Sequence, residues 1–331
     1  MNKIELIGQI ITSTNYATNR LFHFTPEGVR EAAVNFLASG ITKIEVPRGV
    51  LDPDVENLKA ASSGLPDEIS VVGTYLGNEG LGSDNKAYLE SQKRDLSNLM
   101  KYFPDLKYAM LHPAEAEFGG KDNILRVVET YLKLAEFAVS QRPGFQLCFH
   151  NHYDSGGETA LQVRTYLSEM DKADYPGLHW GVDTAQSDGM GQDSLAILNE
   201  YAHLIGNFFH IKARVPFFDR LHGGDDYRED RDIWSRRGAA SDELEGALYC
   251  GAVNPADPEI TTPFKEIFRI IREKARPVDG GMVYGALEID NPRQHPRLEV
   301  MCGALYLKSV YGIQASMALS NDEIISRVFP G

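Results

Sequence analysis

Short β-branched or apolar runs alternate with longer segments of helical period eight times along this chain, and no other feature restricts the fold as much. The runs are IELIGQI (4–10), ITKIEVP (41–47), ISVVGTYLG (69–77), KYAMLHP (107–113), FQLCFHNH (145–152), LHWGVDT (178–184), NFFHIKAR (207–214) and MVYGALEID (282–290). Each is followed by a helix candidate. Segment 25–40, TPEGVREAAVNFLASG, predicts a helix with Thr25 as N-cap, Pro26 at the first helical position and Gly40 at its close. Val29, Ala33, Phe36 and Leu37 share one of its faces. Segments 85–103, 123–141, 159–170, 194–206, 263–275 and 296–311 show similar amphipathic spacing, and PDVENLKAASSG, after the second run, has the weakest pattern. Apolar strands that alternate strictly with helices argue for a parallel sheet covered by helices, and eight units argue for its closure into a (β/α)8 TIM barrel. An open doubly wound sheet would bring a glycine-rich phosphate turn after the first strand, and IGQIITSTN has none.

The 331 residues suit one large α/β domain, 1–331, with no linker or low-complexity tract to divide it. One connection is long: residues 215–260, between the seventh strand and its helix, rich in charge and glycine (DRLHGGDDYREDRD). In a barrel that position holds an active-site lid, and the other reading is an assembly loop. A net charge of -14 and a pI near 5.1 repel a phosphate backbone, and no Lys/Arg-rich stretch offsets them, so nucleic acid is not an expected partner. Cys148, Cys250 and Cys302 lie far apart in apolar or small-residue surroundings and form no CxxC pair, which fits reduced thiols. The N-terminus, MNKIELIGQIIT, lacks an apolar signal-peptide core, and no apolar run approaches ~18 residues. The expectation is a cytoplasmic protein without a membrane segment, forming a homo-oligomer or pairing with a different subunit.

Barrel enzymes place their chemistry at the C-terminal ends of the strands, and those ends are rich in ionisable groups here. They carry Glu45, His112, His150 and His152 with Glu158 beyond them, Asp183 and Gln186, His210 and Lys212, and Glu288 with Asp290. A strand of period 2 sends His150 and His152 to one side and Asn151 to the other. Charged residues on so many strand ends would need costly mutual satisfaction if they were only structural, whereas a metal ion or charged ligand would satisfy them together. Glu158, Asp183, His210 and Glu288 make a set of three carboxylates and one imidazole that suits Mn2+ or Mg2+ first, then Co2+ or Zn2+. If Glu158 is instead a helix N-terminal acid, His150 or His152 takes that corner, and the two-histidine site leans toward Zn2+ or Fe2+. A divalent ion there can bind adjacent oxygens of a hydroxy-ketone and acidify the C–H beside the carbonyl, with a carboxylate or histidine moving the proton.

From residue 5 to about 296 the chain resembles the xylose isomerase-like TIM barrel superfamily (the sugar phosphate isomerase/epimerase family), and its motifs are most similar to the inosose dehydratase type. HNHYDSGGE matches a His-x-His-Met-Gly-Thr segment followed by glutamate. VDTAQSDGMGQD (182–193), FHIKA (209–213) and ALEIDNPRQHP (286–296) resemble the runs of the sixth, seventh and eighth strands. The resemblance implies Glu158, Asp183, His210 and Glu288 as metal ligands, with His150 or His152 and Lys212 contacting substrate or transferring protons. Glu158 and Glu288 are also candidates for the proton transfer. Glu45, His112, Gln186 and, from the long loop, His222 are candidates for substrate contact. Gln186 stands where many relatives carry histidine and cannot carry a proton at neutral pH, and Ala213 replaces the aspartate that usually follows the lysine.

The leading functional reading is a divalent-metal-dependent sugar isomerase or epimerase acting beside the carbonyl of a keto-sugar or polyol-derived ketone. If the enediolate expels a β-oxygen or β-carbon, the same machinery is a dehydratase or lyase. A nuclease on a related barrel would want more histidine ligands and a basic rim, and the acidic balance argues against it. A binding subunit with a vestigial site is the reading from another class.

Overall fold

The computed structural model describes residues 1–10, 25–47, 55–76, 85–113, 121–152, 155–157, 159–185, 194–214, 252–278, 280–289 and 295–329. Seven parallel strands come first: β1 (Lys3–Gln9), β2 (Lys43–Pro47), β3 (Ser70–Leu76), β4 (Tyr108–Leu111), β5 (Gln146–Phe149), β6 (Leu178–Trp180) and β7 (Phe208–Ile211). A short antiparallel pair follows, β8 (Ala213–Arg214) with β9 (Ala252–Val253), and then the eighth barrel strand, β10 (Met282–Leu287). Neighbours run in the order β6-β5-β4-β3-β2-β1-β10-β7. The two ends of that path meet at a single parallel bridge between Asp183 and His210, where His210 N–H donates to the Val182 carbonyl at 2.9 Å. The sheet therefore closes as the (β/α)8 TIM barrel that the alternation predicts.

The helices between the strands are α1 (Pro26–Ala38), α2 (Val55–Ser63), α3 (Asn85–Tyr102), α4 (Lys121–Gln141), α5 (Ala160–Ala173), α6 (Ser194–Tyr201), α7 (Phe264–Lys274) and α8 (Pro296–Tyr311). Local chemistry fixes several of their ends. Thr25 Oγ1 accepts from Gly28 N–H at 3.1 Å with Pro26 in the first turn, and Gly40 takes the left-handed conformation, φ +79°, just beyond α1. Thr159 and Gln162 form a reciprocal capping box at the start of α5. Even α2, whose pattern is weakest, forms and buries Leu58 and Ala61.

Two apolar layers result. Outside the sheet, Phe36 of α1, Tyr131 and Leu134 of α4 and Phe268 of α7 pack with outward residues such as Leu6 and Leu147. Inside it, Ile7, Val72, Tyr108, Met110, Cys148, Phe208, Tyr284 and Ala286 fill the barrel. Phe208 and Phe209 divide between these layers, Phe208 facing in and Phe209 packing on Phe268. Cys148 and Cys302 are free thiols, and Cys250 lies outside the described residues. No helix among the described residues is long and apolar enough to cross a membrane.

The structure departs from the sequence pattern in three places. Regular pairing ends sooner than the apolar runs do: β5 stops at Phe149 and β6 at Trp180, so His150, His152 and Asp183 stand just past the strands. His150 N–H still donates to the Leu111 carbonyl, which keeps the backbone tied at that level. The β8–β9 pair brings Arg214 against Ala252, so residues 252–260 of the expected 215–260 loop are described and begin with a strand. After α8 the chain adds β11 (Gln314–Ala315), paired with Glu5 and Leu6 of β1, and α9 (Asn321–Val328), capped by Ser320 and Glu323. The apolar alternation does not mark β11, because two residues carry no period.

A bulge sets the inner face at β2–β3. Ile44 pairs with Val71 but Glu45 pairs with Gly73, leaving Val72 as the extra residue. A Cβ on Gly73 would lie 2.0 Å from the Tyr108 ring, so the ring occupies space that only glycine leaves open. Gly73→Ala is expected to lose about 1–3 kcal/mol by overpacking, read as a lower urea midpoint at unchanged slope. A wild-type midpoint would show that the Tyr108 ring is free to move.

Candidate active site

Period 2 carries the inward face of each strand from an apolar floor to a polar mouth. On β4, Tyr108 and Met110 precede His112, and on β5, Cys148 precedes His150. On β7, Phe208 precedes His210 and Lys212, and on β10, Tyr284 and Ala286 precede Glu288. The groups that complete the pattern are buried: Glu45, His150, Asp183, His210, Lys212 and Glu288. His112 and His152 are half-buried at the rim.

His210 is the hub. Its Nε2 lies 3.0 Å from Glu45 Oε2, and its Nδ1 lies 2.8 Å from Glu288 Oε2 without hydrogen-bond alignment. Tyr108 donates its hydroxyl to the same Glu45 oxygen at 2.7 Å. Beyond Glu288 the network continues, with Lys212 Nζ donating to Glu288 Oε1 at 3.0 Å and standing 3.6 Å from Asp183 Oδ2. Asp183 Oδ1 accepts from Ala185 N–H at 2.9 Å, and its Oδ2 is 3.7 Å from His150 Nε2. Asn151, pointing away from the two histidines that flank it, accepts from the Trp180 indole N–H at 3.2 Å and from Asp183 N–H at 3.3 Å. It ties the chain after β5 to the chain after β6.

The electrostatics follow from burial and these neighbours. Burial disfavours the charged form of His210, but Glu45 and Glu288 outweigh it and raise its pKa well above the ordinary range. Burial likewise opposes charge on Glu288, yet Lys212 and His210 hold its carboxyl well below the usual carboxylate range. For His150, burial, then His210 and His152, push the pKa well down, and for His112, burial, then His152 and His150, do the same. Burial and the Glu45 charge push the Tyr108 phenol up, so it serves as a donor.

A second feature is a wall of rings. His112 stacks on His150 at 5.3 Å between centroids and lies tilted against His152 at 4.0 Å, and Tyr75 meets it edge-on at 4.3 Å. His150 and His152 lie 6.2 Å apart, on the same side of the chain.

The donor set fits a divalent ion. His150, Asp183 and His210 each offer a ligand atom, all within 4.8 Å of one another. The Gly181 carbonyl, 2.7 Å from His150 Nδ1, can only accept, so in neutral His150 that nitrogen carries the proton and Nε2 keeps its lone pair. Around the His210 ring, Glu45 Oε1 is buried without a hydrogen-bond partner, and His210 Nδ1 faces Glu288 Oε2 at 2.8 Å out of hydrogen-bond alignment, so donor atoms are left for coordination.

Of the residues singled out from the sequence, Glu45, His112, His150, His152, Asp183, His210, Lys212 and Glu288 come together. Glu158, Gln186 and His222 lie outside the described residues, as do Asp290 and the loop residues Asp225 and Asp226. His150 stands in the ligand cluster that the sequence reading filled first with Glu158. Tyr108 and Asn151 are the partners that sequence reasoning missed. Tyr108 had a signal, since it shares its strand face with His112 four residues on; Asn151 had none, because its partners come from another strand.

No family model matches the sequence, and no curated protein matches it. Solved structures do match in fold. A sugar phosphate isomerase/epimerase from Parabacteroides distasonis superposes with a TM-score of 0.60 at 12% identity, covering 95% of this chain and 96% of that one. The IOLI protein, solved with a bound zinc atom, gives 0.58 at 13%, covering 95% and 100%. A probable 3-DHS dehydratase, AsbF, from Bacillus anthracis gives 0.53 at 13%, covering 92% and 98%. At such identities the likeness is one of fold: this chain shares the TIM-barrel fold of these proteins over nearly its whole length.

Lys212 is a buried cation beside Glu288 and Asp183. Lys212→Met is expected to destabilise the metal-free protein by about 3–5 kcal/mol, read by denaturant unfolding, because it leaves buried carboxylates uncompensated. A loss under about 1 kcal/mol would show that the charges are solvated in place.

Proposed function

We propose that this chain is a divalent-metal-dependent sugar isomerase or epimerase that removes the proton beside the carbonyl of a keto-sugar or polyol-derived ketone. The observation that carries the reading is the buried His150, Asp183 and His210 cluster at the strand ends, with ionised Glu288 and Lys212 against it. The similar barrels described as an isomerase/epimerase and as zinc-bound support it. His150, Asp183 and His210 would hold the ion, with Glu288 and Glu158 as further carboxylates. Bound there, it would supply Lewis-acid polarisation of two adjacent substrate oxygens.

The chain's own groups divide the remaining work. Glu288, kept ionised by Lys212 and His210, takes the proton from carbon. Lys212 Nζ directs N–H donors at the oxygen where negative charge develops. His152, half-buried beside His112, gives the second proton. Burial of the inner groups keeps water from the carbanion-like carbon.

The ring wall favours a second reading, dehydration or lyase chemistry, in which His152 protonates a departing β-oxygen. The similar fold of a probable dehydratase is consistent with it. Both readings share the first proton transfer and part at the second.

Protein prepared without added metal is expected to carry near-stoichiometric Mn, Mg, Co or Zn, measured by mass spectrometry, and Asp183→Ala and His210→Ala are expected to lose it while remaining folded. Keto-sugars and inososes screened in heavy water should then exchange deuterium at the carbon beside the carbonyl. Failure to take up any of these ions in excess would remove the mechanism.

A further inference from the structure

Glu45 occupies an unusual place for a substrate contact. It is fully buried on β2, and one of its oxygens, Oε2, takes two donors at once, the Tyr108 hydroxyl at 2.7 Å and His210 Nε2 at 3.0 Å. Of these two partners, Tyr108 belongs to the barrel floor. The Tyr108 ring stacks on Phe208, with centroids 3.6 Å apart and planes at 27°, and packs against the bare α carbon of Gly73. The β2–β3 bulge falls at Glu45 itself and sets Gly73 opposite it. Three strands therefore converge on the orientation of one carboxylate.

We infer that Glu45, braced by Tyr108, is a positioning residue that holds the His210 ring with Nε2–H directed to the barrel floor and Nδ1 on the side of Glu288. The metal-binding consequence rests on the function proposed above: with Nε2 committed to Glu45, Nδ1 is the nitrogen His210 offers to a divalent ion. A carboxylate behind a ligating imidazole fixes both ring orientation and the position of the proton. Free rotation about the Cβ–Cγ bond would otherwise present either nitrogen, at a cost in preorganisation. Glu45 thereby acts through His210 and does not touch the substrate.

The test uses full-length protein with 15N-labelled histidine and the His210 ring assigned through His210→Asn. The wild type should show a downfield, exchange-protected Nε2–H on His210. Tyr108→Phe, which removes only a hydroxyl, should shift that resonance and weaken Mn2+ or Zn2+ binding several-fold in a competition titration. Glu45→Ala should abolish the protected proton and weaken binding by about 10–100-fold, and Glu45→Gln, which keeps an acceptor, should recover most of the loss. A protected Nε2–H that is unchanged in both Tyr108→Phe and Glu45→Ala would overturn the assignment, as would wild-type ion affinity in both. If Glu45→Ala does not fold, Tyr108→Phe decides alone. If the wild type binds neither ion, the proposed function fails separately, and the resonance still decides how the ring is held.

Discussion

Closure of the barrel between β6 and β7 depends on one residue pair, Asp183 and His210, and the same two side chains lie at the centre of the candidate site. β6 is only three residues long, so the bridge beyond it completes the ring of strands. The Thr184 hydroxyl extends the seam one step further: it donates to the Lys212 carbonyl at 2.7 Å and accepts from Lys212 N–H at 2.9 Å. Asp183, His210 and Lys212 are thus placed by backbone pairing across the seam, with Asn151 locking the approach from β5. A site built this way keeps its geometry on rigid elements, and its separations do not depend on loop conformation.

Burying that many charges is costly in itself. Glu45, Asp183 and Glu288 face Lys212 and the imidazole of His210, and burying such a group of ions seldom stabilises a fold more than well-packed apolar side chains would. What the arrangement provides is definition. Glu288 is held ionised from two sides, His210 lies between two carboxylates, and His150 is kept neutral with its proton on the nitrogen that faces Gly181. Different protonation states sit within a few ångströms of one another, the condition under which one group can take a proton while its neighbour gives one.

The apolar and polar halves of the interior are continuous along each strand. Tyr108 shows how they are joined: its ring fills the floor against Phe208 and Gly73, while its hydroxyl holds Glu45. Packing in the barrel floor is therefore transmitted to Glu45 through this one ring. The same fold at 12–13% identity in other structures shows that many sequences satisfy the barrel.

Periodicity in the chain by itself determined the class of fold, because eight apolar runs of strand length separated by amphipathic helices have few other ways to bury their faces. It also determined which polar residues stand at the mouth: in a strand of period 2, His112 must follow Met110, and Lys212 must follow His210, on the same face. Helix ends such as Thr25 and Gly40 were legible for the same local reason, backbone groups that need a cap. Only the tertiary structure decided which of those polar residues meet. The contact of His210 with Glu45 spans 165 positions of sequence, the Tyr108 brace spans 63, and the extra residue at the β2–β3 bulge shifts register in a way that no composition signals. Those contacts are set by barrel closure and strand register, and register is a property of the paired strands together, absent from any one of them.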